Sequence, residues 1–90
     1  MSESMIETAK TVMADTFKFY ILAHNYHWNV EGPDFSQYHS LFGDIYNEVW
    51  TALDTIAEEI RAMNAFVPGS CGRFSELSDI EDEREIPPIS

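Results

Sequence analysis

His24-Asn25-Tyr26-His27-Trp28-Asn29-Val30-Glu31-Gly32-Pro33-Asp34-Phe35-Ser36-Gln37-Tyr38-His39 is the stretch whose reading decides the fold. As far as Val30 it continues a helical pattern, and from Phe35 it begins another. Between them, Glu31-Gly32-Pro33-Asp34 interrupts the periodicity, because glycine and proline both end a helix readily. Asp34 is a good N-cap residue, and Gln37 three positions later completes an Asx version of the capping box. Two long helices joined by a four-residue corner make an antiparallel hairpin.

Upstream of the corner, Ile6, Ala9, Met13, Phe17, Tyr20, His24 and His27 recur at three- and four-residue steps. Val12, Phe19, Ala23, Tyr26 and Val30 lie beside them, so the apolar stripe is wide. The first helix is expected over about residues 4–30. Downstream, Tyr38, Leu41, Phe42, Ile45, Val49, Ala52, Ile56, Ile60 and Met63 mark one face of a second helix over about residues 35–63, broadened by Tyr46, Trp50 and Leu53. Pro68-Gly69-Ser70 marks the next loop, residues 73–82 suit a short helix, and residues 81–88 read as a charged, proline-ended tail. The expected organisation is all-α: a hairpin over residues 1–70, half of a four-helix bundle, followed by a short helix and acidic tail over residues 71–90. Neither stripe can be covered by one neighbouring helix, so helices from another chain are expected to complete the bundle.

Composition narrows the function. Ninety residues allow one domain with a small core. The net charge of −11 and the scattering of Lys10, Lys18, Arg61, Arg73 and Arg84 argue against nucleic-acid binding, which needs clustered cations. An acidic surface suits cations instead. The lone Cys71 cannot close an internal disulfide, MSESMIETAK lacks the features of a secretory signal, and no apolar run approaches the ~20 residues of a membrane span. A reduced, cytoplasmic setting is the expectation, or a virion if the chain is of phage origin.

Four residues carry metal chemistry by type. His27 and His39 fall twelve positions apart across the corner, and Asp54 and Glu58 stand one turn apart on the second helix. Imidazole and carboxylate together suit iron or zinc. On one straight helix, however, His39 and Asp54 are roughly 22 Å apart at ~1.5 Å per residue, and His39 and Glu58 roughly 28 Å. Either these are two unrelated pairs, core histidines and a solvated acidic face, or the site forms between two chains. A two-fold contact would set the His pair of one chain against the Asp/Glu pair of the other, twice over.

The segments His24-Asn25-Tyr26-His27-Trp28-Asn29-Val30-Glu31-Gly32-Pro33-Asp34-Phe35, then His39, then Asp54-Thr55-Ile56-Ala57-Glu58-Glu59-Ile60-Arg61, resemble the Dps-type miniferritins. The likeness runs over residues 17–70, and residues 74–81 look like the family's small helix between its second and third bundle helices. The resemblance implies a ferroxidase centre between two-fold-related subunits, with His27 and His39 from one and Asp54 and Glu58 from the other as catalytic and metal-ligating residues. It implies iron as the metal, with zinc as a substitute, and Trp28 beside the site. The match covers only the family's first two bundle helices and this connecting helix. It also departs from the pattern at Gly43, where an acidic residue is common four positions after the second histidine; Asp44 points roughly 100° away on a helix. The lysine-rich N-terminal arm of some members is absent.

Two functions follow. One is a Dps-like iron-binding protein that oxidises Fe²⁺ with peroxide or O₂ at an inter-chain centre, sequesters iron and protects against oxidative stress. The other is a non-enzymatic, ferritin-derived helical module that serves as a building block of a homo-oligomer, for example in a phage particle. Both expect the chain to pair with itself, and neither expects nucleic acid or membrane as a partner.

Overall fold

The computed structural model describes residues 3–81. These form three helices: α1 (Glu3–Asn29), α2 (Phe35–Ala62) and α3 (Cys71–Leu77). Helices α1 and α2 form the expected antiparallel hairpin, and α3 packs back on α1. No strand occurs among the described residues. The body is 50 × 22 × 17 Å, a rod drawn out along its two long helices.

At the corner Gly32 takes φ 103°, a left-handed conformation that costs glycine little. The Val30 amide still donates to the Tyr26 carbonyl at 3.0 Å, and the Phe35 amide donates to the Gly32 carbonyl at 3.2 Å. The capping box expected at Asp34 does not form. Asp34 occupies the N-cap position, yet its backbone at φ −102°, ψ 20° is not the extended one that turns a side chain over the first turn, and its carboxylate accepts no capping bond. The corner's own backbone bonds start α2 instead.

The end of α2 is sharper than periodicity indicates. Asn64 is left-handed at φ 61°. The Asn64 amide donates to the Arg61 carbonyl at 3.0 Å and the Ala65 amide to the Ile60 carbonyl at 3.3 Å. That is a Schellman arrangement with asparagine in the place glycine usually takes. The short helix also lies elsewhere than expected, at Cys71–Leu77 rather than residues 73–82. It starts earlier because the Ser70 hydroxyl accepts from the Arg73 amide at 3.2 Å. It stops earlier because the Asp15 carboxylate of α1 takes the Ser78 hydroxyl at 2.6 Å and the Asp79 amide at 2.8 Å. The acidic tail from residue 82 onward lies outside the described residues.

The core sits at the end of the rod away from the corner, where Met13, Ala14, Leu53, Ile60 and Phe74 pack together. Phe74 brings α3 into it, its ring 4.7 Å from that of Phe17. Elsewhere the apolar stripe is only partly covered. Val12, Phe19, Tyr38, Leu41 and Trp50, all on apolar faces by periodicity, are exposed. The reason is geometric, since a helix covers one side of its neighbour and these residues lie beyond the contact line.

Phe74→Ala is expected to cost about 3–5 kcal/mol, because it empties a buried aromatic site. Asp15→Ala should cost less globally but free α3 selectively. Hydrogen exchange checks this: the Phe74 and Ser78 amides should lose protection in Asp15→Ala while those of α2 keep theirs.

Candidate metal centre

His27 lies in the last turn of α1 and His39 in the second turn of α2, so the hairpin folds them face to face. Their rings stack with centroids 3.6 Å apart and planes 23° from parallel. Each also bonds to the other's backbone. His27 Nδ1 lies 2.5 Å from the His39 carbonyl oxygen, and His39 Nδ1 lies 2.7 Å from the His27 carbonyl oxygen. A carbonyl can only accept, so both Nδ1 atoms carry the proton. In the neutral rings both Nε2 atoms then keep a free lone pair. A backbone carbonyl holding the other ring nitrogen is the usual support of a metal-ligating histidine, because it sets tautomer and ring direction.

Three neighbours hold the pair. Phe35 stacks on the outer side of His39 with centroids 4.9 Å apart, and Tyr46 meets His27 edge-on at 5.1 Å. Gly43 provides room. A Cβ there would stand 3.2 Å from His27 Cε1 and 3.4 Å from Nδ1. Gly43 therefore lets the His27 ring lie against the backbone of α2, and Asp44 beside it is exposed. In the sequence Gly43 marks only a missing carboxylate, and the close approach that makes it useful has no local signature.

His24, one turn before His27, is packed rather than presented. It stacks on Tyr46 at 3.8 Å, meets Tyr20 edge-on at 4.5 Å and lies 4.9 Å from Trp28. Its Nδ1 is buried with no hydrogen-bond partner. Burial first, and then the charge of His27 when protonated, hold its pKa below the ordinary 6.5. Asp54 and Glu58 are exposed on α2, and Asp54 sits on the rim of an apolar groove lined by Met13, Phe17, Trp50, Leu53 and Phe74. Within one chain they are not brought to the histidines: no three His, Cys, Asp or Glu residues converge among the described residues. One chain thus offers two oriented nitrogen donors, which fit a transition-metal ion by chemistry but do not complete its coordination.

Two outcomes are expected. Because His24 binds a proton less readily folded than unfolded, stability should fall as pH drops below 6.5. Thermal melts of the protein and of His24→Gln between pH ~7.5 and ~5.5 should show a steeper loss in the unsubstituted chain. Gly43→Ala should gain up to about 1 kcal/mol of helix propensity. The same Cβ presses on a His27 ring that its stacking and its bond to α2 keep from retreating. Because that ring cannot give way, the strain outweighs the propensity gain, and Gly43→Ala should lower the melting temperature, as thermal melts would show.

Residues 6–88 match the model of the ferritin-like domain family. The antigen TpF1 of Treponema pallidum is 38% identical over 82 residues, which cover 91% of this chain and 46% of that protein. Its crystal structure superimposes with a TM-score of 0.89 over 92% of this chain and 53% of the other. DNA protection during starvation protein 2 of Bacillus anthracis is 33% identical over 91% of this chain and 56% of its own length. A Dps protein from Bacillus brevis superimposes with a TM-score of 0.85 at 26% identity, over 93% of this chain and 59% of that one. The chain spans about half the length of these relatives. It belongs to the ferritin-like family, with Dps proteins among its relatives.

Proposed function

We propose that two copies of this chain build a Dps-like iron-oxidising centre. His27 and His39 of one copy and Asp54 and Glu58 of the other are its ligands, and Fe²⁺ is its substrate. The observation that carries this reading is the reciprocal bonding of the His pair, which leaves two Nε2 lone pairs free at one end of the hairpin. Asp54 and Glu58 lie farther along α2 than one chain can fold back, and a two-fold contact between α2 helices supplies them from the partner. Exposed Leu41 and Trp50 give such a contact apolar surface to bury.

In this centre the imidazoles fix the ion's position and the carboxylates offset its charge, more strongly after oxidation to Fe³⁺. Each Fe²⁺ gives one electron to peroxide or O₂, and the family role of iron sequestration and protection against oxidative stress follows. Ligation uses the Nε2 lone pairs of neutral imidazoles. Duplex DNA is no partner in this reading, since the chain carries a net charge of −11. The same exposed apolar faces favour a second reading, a helical building block of an oligomer without catalysis.

One experiment separates them. A His27→Ala/His39→Ala chain and an Asp54→Ala/Glu58→Ala chain should each be inactive in Fe²⁺ oxidation. Co-refolded, they should recover about a quarter of the unsubstituted activity, because random pairing makes half the pairs mixed and each mixed pair rebuilds one of two sites. Mixed pairs that form, seen by native mass spectrometry, yet oxidise no iron would leave the building-block reading.

A further inference from the structure

The hairpin carries a second apolar face, on the side away from the groove that holds Asp54. Met5, Val12 and Phe19 recur every seven residues along α1 and are 57%, 45% and 43% exposed. Val12 and Phe19 stand roughly 140–160° round α1 from Phe17, whose ring meets Phe74 of α3. Tyr20 divides the two sides. It reaches into the seam between the helices, its ring 6.4 Å from Tyr46 and 5.5 Å from Trp50. On α2 the second face continues in Ile45 and Ala52, which stand roughly 160–180° round the helix from Asp54. Near the corner the Tyr26 ring stacks on Phe42 across the seam with centroids 5.4 Å apart, and at the far end Met5 and Met63 line one hollow. The stripe therefore runs the length of both helices. None of these positions is charged, in a chain where 23% of residues are.

We propose that this face takes a second copy of the chain, and that the two hairpins complete a four-helix core through it, apart from the pairing proposed for the metal centre. A contact built round Asp54 and Glu58 covers the opposite side of α2 and leaves this stripe in water. A layer of helices must bury its apolar stripe against another layer. A second copy supplies that layer. The matched relatives are about twice as long as this chain, so two copies supply the length of one relative. The seven-residue step on α1 is the one that lets helices interlock at a shallow crossing angle. A two-fold axis crossing α1 between Val12 and Phe19 sets the Val12 of each copy against the Phe19 of the other, a small side chain against a large one, with the two α1 helices antiparallel. An uncharged stripe meets its own image without repulsion, although the chain's net charge is −11. In a body 50 Å long it has room for the ~800 Å² per partner of a stable contact. The two contacts use opposite faces, so this one stands whether or not the iron reading does.

The test has two arms. Trp50 is 62% exposed, so Trp50→Glu removes the pairing on the Asp54 side without disturbing a packed site. Light scattering at micromolar concentration should find that chain a dimer. Adding Phe19→Glu should halve the mass to a monomer, with helix content unchanged by circular dichroism. A monomer in Trp50→Glu alone, or a dimer that survives Phe19→Glu, overturns the proposal. An unsubstituted chain no larger than the Trp50→Glu dimer fails the metal pairing and leaves this contact standing. The second arm needs no disruptive substitution. Val12→Cys and Phe19→Cys chains, each with Cys71→Ser to remove the one native thiol, are mixed and treated with a short bis-maleimide. Mixed pairs should cross-link several-fold more than Val12→Cys chains alone. Equal linking, or none, means that no second copy sits on this face in the stated register, and overturns the proposal.

Discussion

The two hydrogen bonds that His27 and His39 exchange across the corner are the constraint on which the rest depends. They tie the last turn of α1 to the second turn of α2, so the hairpin's angle and register are set at its tight end. The His27 carbonyl lies among the last four of α1, which have no partner within the helix, and His39 satisfies it. Each such bond contributes only about 0.5–1.5 kcal/mol net, so their importance is geometric more than energetic. Both Nδ1 atoms donate whether the rings are neutral or charged. The Nε2 lone pairs take no part in the clasp. The clasp and the free lone pairs thus use different nitrogens of the same rings.

The far end is closed by different means. Phe74 enters the core from α3, and Asp15 takes the hydroxyl and amide that follow α3. The Schellman turn at Asn64 sends the chain back toward α1 so that these contacts can be made. Between the two closed ends lies the aromatic middle. There His24, with its unpartnered Nδ1, is held by rings rather than by hydrogen bonds. A hairpin clasped at both ends can leave its middle flanks uncovered without opening.

In the proposed centre the single chain is half of a chemical unit. It holds two nitrogen donors in position and carries two carboxylates elsewhere on its surface, and the rod's length keeps them apart. In that proposal self-pairing is a condition of the chemistry as well as of burial. Proteins of about twice this length share the fold. Their match to this chain covers the hairpin and α3, the parts that carry all four candidate ligands.

The sequence by itself determined the all-α class, the two long helices to within a residue or so at each end, the corner and the meeting of His27 with His39. These follow from short-range rules: periodicity over a few turns, glycine and proline as breakers, and the closeness that a tight corner imposes on residues either side of it. The expectation at Asp34 failed because capping depends on backbone angles, and the corner's own bonds set those. The bounds of α3 failed because Asp15, more than sixty residues away in sequence, ends that helix. Only the tertiary structure decided that Gly43 makes room for an imidazole and that Tyr20 lies between Tyr46 and Trp50. Both depend on how α1 and α2 are rotated against each other, and that rotation is a property of their packing which neither helix encodes alone.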